Sequence, residues 1–252
     1  MPTALEVQNV SKHFGSLRAV DGVSVNVEEK SLTILIGPNG SGKTTLINTI
    51  AGLYPADGGK VFLQGQEITK LPPHKIYRLK LARTFQIPSL FWNLSVLENC
   101  SVAARDNPGE GFARSLVKRA WLNRETEITE IAFRTLKLVG LSEVWDHPAV
   151  SLSGGQMKLL EIARAMMGGA KVLLLDEPIS GVNPKLAHEI FGKLVSLRTD
   201  LGMTFFIIEH RLDIALSYID TVVAMAYGKV LAAGKPEVVM ADPRLIEAYL
   251  GG

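Results

Sequence analysis

The stretch SLTILIGPNGSGKTTLINTIAGL, residues 31–53, decides the fold. It opens with a continuous apolar run that ends at a glycine, which is typical of a strand buried on both faces. Its second half, TTLINTIAGL, has the apolar spacing of a helix. Because a buried strand that leads straight into a helix is the unit of parallel sheets, the stretch predicts an α/β fold.

The connection between this strand and this helix, GPNGSGKT at 37–44, matches the phosphate-loop pattern G-x-x-x-x-G-K-[ST]. Glycines let backbone N–H groups converge on phosphate oxygens, and the N-terminus of the following helix adds its dipole. We expect Lys43 to reach the β- and γ-phosphates and the Thr44 hydroxyl to bind Mg²⁺. The residues predicted to bind the nucleotide here are Gly37, Pro38, Asn39, Gly40, Ser41, Gly42, Lys43, Thr44 and Thr45.

Two other interpretations of this loop are disfavoured. A chance glycine-rich turn is not expected to have a strand directly before it and a helix directly after it. A dinucleotide site requires G-x-G-x-x-G, which GPNGSG does not provide.

A second apolar strand, VLLLDEP at 172–178, ends in two carboxylates. Ligands of α/β folds bind at the carboxyl ends of the strands, so the acids are expected at the nucleotide site. We expect Asp176 to hold Mg²⁺ through water and Glu177 to orient or deprotonate the attacking water. The alternative, that both acids merely end a strand, is disfavoured beside a phosphate loop.

The segments before residue 150 predict a mixed organisation. LEVQNVSKHFG and AVDGVSVNVEE alternate apolar and polar residues, as half-buried antiparallel strands do. GKVFLQGQ at 59–66 is predicted to be another strand. From about 72 to 150 the apolar spacing is helical, starting with HKIYRLKLA, and RDNPGEGFARS at 105–115 is expected to be a surface loop.

After residue 168 the pattern returns to alternating strands and helices. AKVLLLDEP and MTFFIIEH are predicted strands, PKLAHEIFGKLVSLRTDLG is a predicted helix, and TVVAMAYGKVLAAG is a predicted hairpin with Tyr227-Gly228 near its turn. A short helix is expected around PRLIEAYL. The predicted fold is therefore an α/β phosphate-loop NTPase core with flanking helices, an antiparallel β subdomain and an inserted helical subdomain.

Composition narrows the class of protein. Charges of both signs nearly cancel to +2, which gives no electrostatic reason to expect nucleic acid as a partner. Cys100 is the single cysteine, so no intrachain disulfide is expected. The sequence MPTALEVQNV lacks the layout of a signal peptide, and the apolar runs are far shorter than the ~20 residues that span a bilayer. We therefore expect a soluble, cytoplasmic chain whose membrane role requires a partner.

The sequence SLSGGQ at 151–156 resembles the signature sequence of ABC-type ATPases, and nearly the whole chain follows that family's order of motifs. The resemblance implies that two copies face each other head to tail. Ser153, Gly154, Gly155 and Gln156 of one copy would then bind the γ-phosphate of the ATP held by the other. The alternative is an ordinary capped helix, and the two interpretations are compatible because a serine N-cap leaves backbone N–H groups that favour an anion.

The resemblance also implies roles for three further residues. Gln86 in RTFQ would reach the Mg²⁺ and the water, His210 after MTFFIIE would contact the γ-phosphate, and adenine would stack on Phe14 in SKHFG. The corresponding alternatives are a polar loop residue, a structural histidine and a core aromatic. SGVNP at 180–184 stands where the family usually has serine-alanine-leucine-aspartate, so Asn183 replaces the acid. The resemblance implies that Ser180 and Asn183 contact the dimer partner. The alternative is that Asn183 before Pro184 simply starts a helix.

Three classes of ABC ATPase are compatible with these motifs. Translation and DNA-repair ATPases usually carry two such domains, zinc modules or long coiled coils, which this chain lacks. A soluble ATPase of iron–sulfur assembly remains an alternative to a transporter subunit. Phe91 and Trp92 in QIPSLFWNLSVLEN favour the transporter, because they follow Gln86 where such ATPases receive a helix of the membrane subunit; burial within the helical subdomain is the alternative.

The long segment after Gln86, the run IIEHRLDIALSYID and the ending EAYLGG resemble ATPases of branched-chain amino-acid uptake systems, and urea or short-amide importers look similar. The resemblance implies a single nucleotide-binding domain over 1–252, with 1–85 and 168–252 as catalytic core and about 86–167 as helical subdomain. It further implies a second ATPase subunit (the same chain or a sister chain), two membrane permease subunits and, indirectly, an extracytoplasmic solute-binding protein. The expected location is the cytoplasmic face of the membrane.

Overall fold

The computed structural model describes residues 2–84, 89–105 and 118–250. The strands in these ranges are β1 Thr3–Phe14, β2 Leu17–Glu28, β3 Leu32–Ile36, β4 Gly58–Leu63, β5 Gln66–Glu67, β6 Leu81–Arg83, β7 Val172–Asp176, β8 Thr204–Ile208, β9 Thr221–Ala226 and β10 Lys229–Gly234. The α-helices are α1 Lys43–Ile50, α2 Pro73–Arg78, α3 Val96–Val102, α4 Lys118–Val139, α5 Gly154–Met167, α6 Pro184–Leu201, α7 Leu212–Ala215, α8 Pro236–Met240 and α9 Pro243–Leu250. Short 3₁₀ helices lie at Ser142–Val144 and Ala149–Ser151.

The chain divides into two compact units. The first comprises Met1–Gln86 and Ala170–Gly252, and the second comprises Ile87–Gly169. Both sheets belong to the first unit, whereas α3, α4 and α5 form the second. Within the ranges that the structure describes, no helix has both the length and the apolar character needed to cross a bilayer.

A six-stranded sheet forms the centre of the first unit, in the order β10-β9-β3-β8-β7-β6. The five strands from β9 to β6 run parallel, and β10 pairs antiparallel with β9. Every residue of β3, β7 and β8 is buried, as the continuous apolar runs predict. Because β3, β8 and β7 are parallel neighbours, the segments that follow them leave the sheet at one edge.

The second sheet of this unit is four-stranded and antiparallel, in the order β2-β1-β4-β5. One buried cluster joins side chains of this sheet with α1 and with the six-stranded sheet; its members include Val7, Val25, Leu46, Val61, Leu174 and Phe206. The predicted α/β core with an antiparallel β subdomain is therefore confirmed.

Two details of the predicted elements are wrong. The helix expected over HKIYRLKLA ends at Arg78, because Lys80 takes a left-handed conformation (φ 72°) and Leu81–Arg83 then pair with β7. The strand expected over 59–66 ends at Leu63, since Gln64 and Gly65 also have positive φ (49° and 80°) and turn the chain into β5. Most of the loop expected at 105–115 lies outside the described residues.

Among the described residues of the second unit, the helices α3, α4 and α5 pack against one another. Its buried side chains include Val96 and Cys100 of α3, Ile128 and Leu136 of α4, and Leu160 of α5. Burial raises the pKa of the Cys100 thiol to about 12, so the thiol is neutral and packs as an apolar group.

Candidate nucleotide-binding site

A cavity of about 550 Å³ opens at the carboxyl edge of the six-stranded sheet. Residues 39–45 of the predicted phosphate loop form one wall, and Glu177 and His210 lie at another. Phe14, residues 17–19 and the β9–β10 turn, Tyr227-Gly228, complete the lining. The sheet therefore brings three sequence-distant motifs to one cavity.

Glycine is required in the phosphate loop for steric reasons. Gly37, Gly40 and Gly42 all have positive φ (149°, 76° and 99°), which other residues rarely adopt. A Cβ on Gly37 would collide with the carbonyl oxygen of Met225, and one on Gly42 with that of Ala19. The loop thus combines a left-handed backbone with close approach of neighbouring chain, and α1 begins directly after it.

The ammonium of Lys43 lies inside its own loop. Its Nζ donates to the carbonyl oxygens of Gly37 (2.8 Å) and Pro38 (2.9 Å) and to the Ser41 hydroxyl (3.4 Å). The pKa of Lys43 is lowered because burial disfavours the charged form, while the carboxylates of Glu177 and Asp176 act in the opposite direction. A phosphate bound here would replace these loop oxygens as the partner of the ammonium.

Asp176 ends β7 in an ion pair. The Arg83 guanidinium donates to Asp176 Oδ2 at 3.0 Å, and both side chains are buried. Arg83 also donates to the side-chain oxygen of Asn48 on α1. Because Oδ2 is bound to the guanidinium, a contact of this carboxylate with a metal or its water would use Oδ1.

Glu177 and His210 contact each other at the wall of the cavity. Glu177 Oε1 lies 3.2 Å from His210 Nε2, and the Glu177 backbone N–H donates to the carbonyl of Ile208 at 2.9 Å. Glu177 has a positive φ of 50°, an uncommon conformation for a residue with a side chain. The strand ends thus hold a carboxylate and an imidazole within hydrogen-bonding reach of one another.

A family model described as ABC transporter matches residues 20–180, which is more than half of the 252 residues. The chain belongs to the ABC transporter family. This confirms the resemblance that the signature-like sequence indicated.

Individual relatives match over almost the full length. The probable branched-chain amino acid transport ATP-binding protein LivG of Archaeoglobus fulgidus is 51% identical, over 98% of this chain and 95% of the relative. The high-affinity branched-chain amino acid transport ATP-binding protein BraF of Pseudomonas aeruginosa is 41% identical, over 98% and 97%. A crystal structure of the ADP conformation of MJ1267, an ATP-binding cassette of an ABC transporter, superposes with a TM-score of 0.87 at 44% identity, and each chain is fully covered.

Phe14 of this ABC cassette lies at the mouth of the cavity, where its side chain is 44% exposed. Its ring meets that of Tyr54 edge to face at 5.3 Å between centroids, and the Lys12 ammonium lies 5.5 Å from the ring centre. The core alternative is therefore wrong for this aromatic. Its stacking on adenine stays a prediction. Such stacking requires an exposed face of the ring.

The signature sequence of the cassette begins α5 in the second unit. Ser153 Oγ accepts from the Gln156 N–H (3.4 Å) and Gln156 Oε1 accepts from the Ser153 N–H (2.9 Å), which is a capping box. A Cβ built on Gly154 would meet nothing within 4 Å, and its φ is not positive. The chain itself therefore needs no glycine at 154.

Three other predicted residues are Gln86, Ser180 and Asn183. Gln86 lies outside the described residues. Asn183 is the N-cap of α6 and accepts from the Leu186 N–H at 2.9 Å, so its capping role is confirmed. The dimer-contact role of Ser180 and Asn183 stays a prediction.

Sequence reasoning missed two residues that contact the site. Arg83 lies three residues before the predicted Gln86. The sequence gave no indication of its role, because its partner Asp176 is 93 residues away. Burial raises the pKa of the Tyr249 phenol, and the backbone of Gly37 beside its hydroxyl acts in the opposite direction. The ending EAYLGG could have drawn attention to Tyr249, but nothing in the sequence connects it with the phosphate loop.

The donor set fits magnesium bound together with a nucleotide. Within the part of the chain that the structure describes, no group of three or more His, Cys, Asp or Glu side chains could hold a metal ion. Mg²⁺ at nucleotide sites typically takes one or two protein oxygens and completes its shell with phosphate oxygens and water. Thr44, which lines the cavity, and Asp176 at the end of β7 would provide that smaller set.

Replacing Lys43 with methionine removes the ammonium but keeps most of the buried stem. We expect the dissociation constant for ATP to rise at least tenfold, because the β- and γ-phosphates lose a charged donor. Titration of a fluorescent ATP analogue measures it, with Lys60→Met, an exposed lysine of the same unit, as control. Unchanged affinity in the Lys43 variant would contradict the assigned role.

Proposed function

We propose that this chain is the ATP-hydrolysing subunit of an ABC importer that takes up branched-chain amino acids through separate membrane permease subunits. The observation that carries the proposal is the meeting of the phosphate loop, Glu177 and His210 in one cavity. The family supports ATP binding and coupling to transport. The names of LivG and BraF support the substrate, because those relatives match this chain from end to end.

Hydrolysis requires a water aligned with the γ-phosphorus and a group that takes its proton. Glu177 is assigned to orient the water and accept its proton as the water oxygen bonds to phosphorus and the bridging oxygen leaves with ADP. His210, 3.2 Å from Glu177, holds the carboxylate in position and donates to the γ-phosphate. Lys43 would exchange its loop oxygens for the phosphates, and Thr44 and Asp176 would hold Mg²⁺, which would neutralise phosphate charge.

A second subunit is expected to complete the site. The signature turn, Ser153–Gln156, presents N–H groups at the positive end of α5, and no acidic residue lies in that first turn. Open space around Gly154 leaves room for a phosphate supplied from outside the chain. The proposal therefore assigns this turn to the ATP bound by the partner subunit, which is either the same chain or a sister ATPase.

The transporter assignment is favoured over soluble iron–sulfur assembly by a surface of the second unit. Phe91 and Trp92 are 48% and 43% exposed. Asn99 fixes the backbone beneath them: its Oδ1 accepts from the Phe91 N–H at 3.0 Å, and its Nδ2 donates to the Phe91 carbonyl at 2.9 Å. Arg164 lies 5.2 Å over the Phe91 ring. A rigid, exposed aromatic pair suits a helix of a membrane permease.

Hydrolysis should depend steeply on the carboxylate of Glu177. In Glu177→Gln we expect kcat to fall at least a hundredfold, because a positioned base contributes about that much, while ATP still binds. Phosphate release and ATP affinity are measured on the same preparation, and Glu189→Gln, an exposed change on α6, is the control. The stabilised ATP state should also increase self-association in sizing experiments. Normal turnover would refute the base assignment.

The partner's use of the signature turn can be separated from simple helix capping. Gly154→Gln places a side chain into open space, so folding and ATP affinity should persist while kcat falls at least tenfold. Gly192→Gln is the matched control, because Gly192 is also a helical glycine with nothing within 4 Å of its Cβ position. Equal activity of the two variants would leave the capped-helix alternative standing.

The permease surface predicts a loss of coupling without a loss of the nucleotide site. Phe91→Asp should reduce ATP-driven uptake of leucine in proteoliposomes at least tenfold, whereas ATP affinity of the isolated subunit stays unchanged. Phe133→Asp, a change at another exposed phenylalanine of the second unit, should transport normally. Full transport by the Phe91 variant would argue against the surface. Uptake of urea or short amides in place of leucine would redirect the substrate assignment.

A further inference from the structure

Glu209 is a buried carboxylate that the proposed chemistry does not use. It lies between β8 and His210, and only 2% of its surface is exposed. Burial raises the pKa of its carboxyl, the nearby charge of Glu177 acts in the same direction, and backbone N–H donors oppose both. Burying a carboxylate is costly unless it is well hydrogen-bonded, so its contacts need an explanation.

Three backbone amides from two loops converge on this carboxylate. Oε1 accepts from the Ile179 N–H at 2.9 Å. Oε2 accepts from the His210 N–H at 3.0 Å and from the Arg211 N–H at 3.3 Å. Ile179 lies two residues after Glu177, in the loop that follows β7, whereas His210 and Arg211 follow β8. One side chain therefore joins the two loops that carry the proposed base and its histidine.

Two further contacts run in parallel with this bridge. The Arg211 guanidinium donates to the carbonyl of Val182 at 3.1 Å, and the Glu177 N–H donates to the carbonyl of Ile208. Val182 belongs to the exposed segment Ser180–Asn183, which is expected to meet the partner subunit. The loop after β8 thus contacts the loop after β7 at two places, one close to Glu177 and the other in the segment Ser180–Asn183.

We propose that Glu209 is a positioning residue for ATP hydrolysis, which holds Glu177 and His210 in register by bridging the loops after β7 and β8. The inference rests on the proposed function. Its physical basis is that hydrolysis needs both groups placed within a fraction of an ångström, whereas nucleotide binding depends on the phosphate loop. Loss of the bridge should therefore lower kcat and leave the affinity for ATP unchanged.

Glu209→Gln tests this with almost no change in volume. Donors contact both carboxylate oxygens, so the amide NH₂ faces the Ile179 N–H in one orientation and the N–H groups of His210 and Arg211 in the other, and at least one contact becomes repulsive. We expect kcat per ATP-binding site to fall about tenfold or more and the KM for ATP to stay within twofold. Glu189→Gln, which is exposed on α6, should change neither value.

A double-mutant cycle with His210→Ala distinguishes positioning from an independent effect. If Glu209 acts through His210, the loss from Glu209→Gln should shrink to about twofold or less when His210 is already replaced. Losses that multiply would overturn the inference, and so would wild-type kcat in Glu209→Gln. Should the Gln variant fail to fold, Glu209→Asp is judged by the same criteria, because it keeps the charge but is too short to span both loops.

The two proposals fail in different ways. Normal turnover in Glu177→Gln would refute the assignment of Glu177 as the base, and with it the reason for a bridge that positions this residue. A steep loss in Glu177→Gln together with normal turnover in Glu209→Gln would leave ATP hydrolysis intact as a function and remove only the positioning role of Glu209.

Discussion

The site depends on one constraint, the parallel pairing of β3, β8 and β7. Because β8 lies between the other two, the phosphate loop, the Glu209-His210 pair and the Asp176-Glu177 pair leave the sheet side by side, although they are far apart in sequence. Neighbouring strands are about 4.8 Å apart, which is the scale of the contacts between these groups. If the pairing of Asp176 with Ile208 slipped by one residue, each side chain of β7 would move to the other face of the sheet. Glu177 would then be separated from His210.

Each charged group at this edge has a partner within the chain before any nucleotide arrives. Lys43 donates to loop oxygens, Asp176 accepts from Arg83, Glu177 lies against His210 and Glu209 accepts from three amides. A buried charge without a partner would destabilise the fold, so these contacts stabilise the folded site. On the proposed function, binding of ATP would be an exchange of partners, in which the phosphates would gain the ammonium by displacing the carbonyls of the loop. The affinity would then reflect the difference between the two arrangements.

Local patterns in the sequence were sufficient for most of the fold. The buried strands, the phosphate loop with its helix and the cap at Asn183 each depend on residues within a few positions of one another, and all of them are found. The strand β6 was missed because three residues carry too little periodicity to be distinguished from the end of a helix. Arg83, Glu209 and Tyr249 could not be connected to the site, because Asp176, Ile179 and Gly37, which connect them to it, are 30 or more residues away in the sequence.

Two features of the chain point to a contact outside it. Gly154 has neither a positive φ nor a neighbour that excludes a side chain, so the fold of the chain does not require glycine there. The segment 180–183 is largely exposed, but it is joined through Arg211 and the bridge at Glu209 to the residue assigned to the γ-phosphate. On the proposed function, a subunit that docks against this segment would act on the same loop that carries His210. Because each subunit would offer its signature turn to the other's nucleotide, closure of the pair would also align the water.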